Sequence, residues 1–142
     1  MRNMHRTLTA TRALLVILLA GGPAAAQAPA PSSTAPSHQA IDEWFQKKDK
    51  NKDGTIDREE FYQLAVESFY FRDKNKTGYV TLEQLQGASP EAVRAASRSH
   101  ENRLTLDEYV NALFKDFAAA DTNGDGKLTE EEIETYIRTN RR

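Results

Sequence analysis

The sequence contains no cysteine. That absence excludes a disulfide framework, a thiolate metal site and a lipid-modified N-terminal cysteine, and it says nothing against an oxidising compartment. An excess of one charge is also missing. The formal net charge is −2 at pH 7, which favours neither nucleic acid nor an anionic membrane surface as a partner. The 7 glycines form no phosphate-cradling loop. The 3 histidines, His5, His38 and His100, stand beside no nucleophile and no set of zinc ligands, so no enzyme is expected. No apolar run reaches the ~20 residues that span a bilayer comfortably, and stable membrane insertion is not expected. At 142 residues the chain makes one domain or at most a small pair.

What is present begins with a leader. Arg2, Arg6 and Arg12 carry the early positive charge, and Ala13 to Ala20 form a short apolar run. Gly21, Gly22 and Pro23 break that run, and Ala24-Ala25-Ala26 offers a small-x-small cleavage site. This is the three-part layout of a secretory signal peptide over residues 1–26, so a periplasmic or secreted protein is expected. Cleavage there removes three arginines from the 19 basic side chains and leaves 16 against 21 acidic ones, a net of −5. Residues 27–40 are rich in Ala, Pro and Ser; they cannot bury a core and read as a flexible linker. The folded domain is expected over 41–142.

The densest chemistry lies in Asp121-Thr122-Asn123-Gly124-Asp125-Gly126-Lys127-Leu128-Thr129-Glu130-Glu131-Glu132. Oxygen side chains occupy its first, third, fifth and ninth positions, a glycine the sixth and a carboxylate the twelfth. Hard divalent cations want such a set, and calcium takes six to eight oxygens in flexible geometry. Asp121, Asn123 and Asp125 would each give a side-chain oxygen, Lys127 its backbone carbonyl, and Glu132 both carboxylate oxygens. Thr129 would act directly or through water. Gly126 permits the positive φ of the sharp turn. The pattern recurs at 49–60, with Asp49, Asn51, Asp53, Thr55 and Glu60 in the same roles and Asp57 at the ninth position.

Two further copies are degraded. Loop 73–84 keeps Asp73, Asn75 and Gly78, but has Thr77 at position five and the neutral Gln84 at position twelve. Loop 97–108 keeps Glu101 and Glu108, starts with serines, and carries Arg98 and Arg103. Asn102 replaces its glycine, and asparagine is the residue that best tolerates that backbone region. Weak binding or none is expected in both.

These loops resemble the EF-hand calcium loop. Their starts, Asp49, Asp73, Ser97 and Asp121, recur every 24 residues, with Phe45, Phe69, Val93 and Phe117 four residues before them. In spacing the chain is similar to the exported four-EF-hand proteins of bacteria rather than to calmodulin. The resemblance implies an all-α fold of four helix-loop-helix units with shared helices. Helices are expected over 41–48, 59–72, 82–87, 89–96, 107–120 and 130–138. Ser89-Pro90 opens one helix, with a serine cap and a proline in the first turn. Thr129 to Glu132 forms a capping box for the last. If the shared helices run up and down, loops one and three meet at one end and loops two and four at the other; a kinked helix permits other pairings.

Trp44, Phe45, Phe69, Tyr70 and Phe71 offer either core or a partner surface, with Tyr70 and Phe71 falling partly off the buried face. The expected function is Ca2+ binding by loops 49–60 and 121–132 in an exported buffer or sensor. The alternative is a calcium-stabilised structural or protein-interaction module, dockerin-like in its loop–helix units. Expected partners are the calcium ion and a protein of unknown identity.

Overall fold

A computed structural model describes residues 37–85, 88–99 and 101–140. The expected signal peptide, most of the linker and His100 lie outside these residues.

Among the described residues, five helices form where capping residues meet three- and four-residue apolar spacing. Helix α1 (His38–Lys48) begins three residues earlier than expected, because the Ser37 hydroxyl caps it by accepting from the Ala40 N–H at 3.2 Å. It buries Ile41 and Phe45. Helices α2 (Arg58–Arg72), α4 (Leu106–Ala120) and α5 (Glu130–Thr139) each open on a capping box, formed by Asp57 with Glu60, Thr105 with Glu108, and Thr129 with Glu132. The shorter α3 (Pro90–Ala96) starts with Ser89 as cap and proline in its first turn. The segment 82–87, expected as a helix, is a turn over its described residues. Leu85 N–H donates to Thr81 O at 3.0 Å, and Ala88 N–H to Leu85 O at 3.0 Å, before Ser89 restarts the helix.

Four short strands lie between the helices: β1 (Ile56–Asp57), β2 (Tyr79–Thr81), β3 (Arg103–Thr105) and β4 (Lys127–Leu128). β1 pairs antiparallel with β4, setting Ile56 opposite Leu128, and β2 with β3, setting Val80 opposite Leu104. The alternating arrangement is therefore wrong: loop one meets loop four, and loop two meets loop three. The reason is the broken middle linker. Long helices carry the chain from loop one to loop two and from loop three to loop four. The turn before Ser89 instead returns it to the same end.

Because α2 runs from β1 to β2 and α4 from β3 to β4, these two 15-residue helices are antiparallel. Each is about 22 Å long, which separates the two ends of the molecule. Aromatic rings join them along their length. Phe61 meets Phe114 and Phe117 edge-on, with ring centroids 5.2 and 4.9 Å apart, and Phe69 meets Tyr109 at 5.7 Å. Ile56, Val80, Leu104 and Leu128 are wholly buried, so each strand pair plugs its end of this core. Phe45 and Phe69 are core, Trp44 packs partly against it, and Tyr70 and Phe71 are exposed, as is Tyr62. Among the described residues no helix is long and apolar enough to cross a membrane.

Candidate metal centre

Loops 49–60 and 121–132 share one end of the molecule. Asp49 ends α1, its N–H donating to Phe45 O at 2.8 Å. Its carboxylate folds back into the loop: Oδ1 accepts from Asp53 N–H at 3.2 Å and Oδ2 from Gly54 N–H at 2.8 Å. Asn51 Oδ1 accepts from Asp53 N–H at 3.0 Å, and Asp53 Oδ1 from the N–H and hydroxyl of Thr55 at 2.9 and 2.6 Å. Glu60, in the first turn of α2, reaches back across the loop. Its Oε1 accepts from the N–H groups of Lys50 and Asn51 at 2.9 and 3.1 Å, and its Oε2 from Asp57 N–H at 3.2 Å.

The second loop repeats this wiring. Asp121 accepts from Asp125 N–H at 3.2 Å and Gly126 N–H at 2.9 Å, Asn123 from Asp125 N–H at 2.9 Å, and Asp125 from Lys127 N–H at 2.9 Å. Glu132 accepts from Thr122 N–H at 3.1 Å, Asn123 N–H at 3.4 Å and Thr129 N–H at 3.0 Å. The sharp turns need glycine at the sixth position, where Gly54 has φ +80° and Gly126 φ +81°. The fourth position also enters the left-handed region, as Gly124 at φ +71° but as Lys52 at φ +58°.

Asp49, Glu60 and Glu132 are only 7, 8 and 9% exposed. Among the described residues no basic side chain pairs with Asp49, Glu60, Asp121 or Glu132. Burial pushes the Glu132 carboxyl up, but the Thr129 and Asn123 N–H groups and the Thr122 and Thr129 hydroxyls outweigh it, so its value falls below the ordinary one. At Asp53 the Thr55 hydroxyl does most to lower the value, and Lys127 adds to it against desolvation. Glu132 and Asp53 are therefore anionic at neutral pH; Glu132 accepts from backbone N–H groups and hydroxyls, and Asp53 also from the Lys127 ammonium. Buried charge of one sign calls for a counter-charge. An all-oxygen donor set suits a hard divalent cation, so the residues present fit calcium.

The opposite end keeps part of this wiring, with Glu108 accepting from Arg98 N–H at 2.7 Å and Thr105 N–H at 2.9 Å, and changes the rest. Asp73 holds the turn of loop 73–84, accepting from Thr77 N–H and Gly78 N–H, both at 2.8 Å. Gln84 Oε1 accepts from Thr81 N–H at 2.9 Å and so replaces the carboxylate as a backbone acceptor only. In loop 97–108, Ser97 and Ser99 hydroxyls lie 3.2 Å apart. Arg98 pairs with Asp107 at 2.6 Å, Arg103 pairs with Glu101, and the Arg103 guanidinium covers the Tyr79 ring at 4.4 Å. Positive φ outside glycine occurs among the described residues only at Lys52 and Lys76. Asn102 therefore does not take the left-handed turn that its position suggested. Its side chain instead accepts from Arg94 Nε at 3.0 Å.

Two features escaped the sequence. The Lys127 ammonium crosses between the paired loops to Asp53 Oδ2, 3.3 Å away; only the register of β1 against β4 could have revealed it. His38, read as the end of the linker, stands at the start of α1 and meets Glu134, with Glu130 4.0 Å away. The four-residue spacing of those glutamates on α5 was the available signal.

Residues 65–138, more than half of the chain, match the family model of the EF-hand domain pair, and residues 41–65 match that of the EF hand. Comparison with curated proteins finds no match.

Proposed function

Because the chain belongs to the EF-hand family, whose domains imply calcium binding, we propose that it binds two calcium ions, in loops 49–60 and 121–132, outside the cytoplasm. The observation that carries this reading is the N–H-solvated carboxylate set of those two loops, with Asp49, Glu60 and Glu132 buried, in which no basic side chain among the described residues pairs with Asp49, Glu60, Asp121 or Glu132. A bound ion supplies the missing positive charge. Asp49, Asn51 and Asp53 would hold it from the first loop, and Asp121, Asn123 and Asp125 from the second. Thr55 and Lys127 would each offer a backbone carbonyl.

Glu60 and Glu132 would close the two shells. Each sits in the first turn of its helix, so any movement of its carboxylate also moves the start of α2 or α5. Those helices bury Phe61 and Ile133 directly after the carboxylates. A change at the loops is thus handed to the aromatic core, which is how a calcium sensor exposes apolar surface. The leader over residues 1–26 supports export, where dissociation constants of about 10⁻⁶ to 10⁻³ M would suffice. The reading assigns no catalysis.

Calorimetric titration of calcium into the purified protein, followed by circular dichroism with and without the ion, tests it. Two binding events on a helical apo state that rearranges support a buffer or sensor. An apo state that is disordered and folds on binding favours the calcium-stabilised structural module. Absence of binding at millimolar calcium removes the proposal.

A further inference from the structure

We propose that Lys127 acts as a built-in cation for the first loop, which keeps that loop the weaker site and makes the pair fill in order, 121–132 before 49–60. The inference rests on the reading of both loops as calcium sites.

Lys127 belongs to two loops at once. Its backbone is the seventh position of loop 121–132, and its N–H donates to Asp125 Oδ1 at 2.9 Å. The β1–β4 register sets it opposite Asp57. From there its ammonium reaches Asp53 Oδ2 in the other loop at 3.3 Å. Asp53 is the fifth-position donor of the first site, and its Oδ1 already accepts from Thr55 N–H and Thr55 Oγ1. The protein therefore engages both oxygens of this ligand, one of them with a positive charge. An incoming cation at 49–60 must displace that charge or tolerate it nearby.

The ion pair has no described counterpart in the other direction, although Arg58 of the first loop stands beside Gly126. The residue of loop 49–60 that matches Lys127 is Thr55, which carries no charge and turns its hydroxyl to its own Asp53 at 2.6 Å. Asp125, the counterpart of Asp53, meets no such ammonium among the described ion pairs. At the seventh position the two loops thus differ by this one charge. The pair is partly solvent-exposed, at 46% for Lys127 and 36% for Asp53. Exposed pairs are weakened by water and salt, so the difference in affinity due to this contact is about two- to five-fold.

The experiment is a calcium titration of the ¹⁵N-labelled protein, followed at the amides of Gly54 and Gly126. Each of these donates to the first aspartate of its own loop and so reports chiefly on that loop. Wild type, Lys127→Met, Lys127→Arg and Lys47→Met are compared. Lys47 is an exposed residue of α1, and its removal measures the general effect of one lost positive charge. In wild type, Gly126 should respond at lower calcium than Gly54. Lys127→Met should tighten the Gly54 response about two- to five-fold and narrow the gap, while Lys127→Arg keeps the wild-type order. The inference is overturned if Gly54 responds first in wild type. It is also overturned if Lys127→Met leaves the Gly54 response unchanged, or moves it only as much as Lys47→Met does. If neither glycine responds at millimolar calcium in wild type, the loops are not sites, and the proposed function fails along with this inference.

Discussion

The two ends of this molecule use one loop design to opposite effect. At the end of β1 and β4, buried carboxylates face N–H groups, and the pairing is two residues long. At the end of β2 and β3, exposed arginines pair with carboxylates of their own loop, Gln84 replaces a carboxylate, and the ladder is three residues long, capped by Arg103 over Tyr79. The second end sets two arginines against carboxylates of its own loop, while Asp73 there stays buried among N–H donors. The first has left most of its counter-charges to be supplied. A paired set of loops can therefore be closed by protein chemistry or kept open for an ion, and the difference lies in a handful of side chains around an unchanged apolar plug.

The plugs give the largest effects. Leu104 and Leu128 are both wholly buried, and truncating either to alanine should cost about 2–5 kcal/mol. Their response to calcium should differ. Saturating ion, at about a hundred times the dissociation constant, adds about 2.7 kcal/mol per site. Leu104→Ala, at the closed end, should keep the full calcium-dependent rise in Tm. Leu128→Ala loosens the strand pair that carries both sites and should lose much of that rise. Thermal melts with and without calcium decide the matter, and equal responses would erase the distinction between the ends.

The twelfth-position carboxylates sharpen the contrast next. Glu132 and Glu108 make the same capping box, yet only the first belongs to a proposed site. Glu132→Gln should weaken calcium binding in its loop by about tenfold or more. Glu108→Gln should leave the calcium titration as it is in wild type. A loss of one binding event in the Glu108 variant would show that the arginine-filled loop also takes the ion.

Much of the fold was legible because its rules are local. Ser89-Pro90 and Thr129 to Glu132 announced helix starts from residues within one turn, and the loop spacing pointed to the apolar positions that became the core. The pairing of the ends was not legible in the same way. Every linker between loops has the same length, so spacing could not tell the helices that run straight through from the one that breaks. The clue was the Ser89-Pro90 restart itself, which splits the middle linker. The Lys127–Asp53 contact was hidden for a further reason. Cross-strand neighbours depend on register, and register follows only once the pairing is known. Asn102 teaches a smaller lesson: tolerance of the left-handed region does not oblige a residue to enter it.

Backbone strain offers a finer test at the first end. Lys52 holds φ +58° where loop 121–132 has Gly124. A non-glycine residue there costs on the order of 1 kcal/mol relative to glycine. Lys52→Gly should therefore stabilise the apo protein by up to about 1 kcal/mol in denaturant melts, since part of the gain is lost to unfolded-chain entropy. Lys76 has φ +52° at the matching place in loop 73–84, and Lys76→Gly should give a similar gain at the other end. A marked difference between the two variants would mean that side-chain contacts, not backbone conformation, set the cost.

The smallest effect concerns a clasp beside the first end. His38 lies at the start of α1, where a positive charge opposes the helix dipole. Glu134 reverses that preference. Its hydrogen bond to the imidazole, and then its charge, raise the His38 value above the usual one near 6.5, against desolvation, with Glu130 and Asp42 adding smaller contributions. A raised folded value means that protonation stabilises the folded state. The contribution is fully present below pH 6.5 and fades as pH climbs through the raised folded value. His38→Gln should accordingly lower Tm relative to wild type on the acid side, and the gap should close as the pH rises. Glu134→Gln should remove most of the same pH dependence. A gap that stays constant with pH would show that His38 contributes by packing and hydrogen bonding alone.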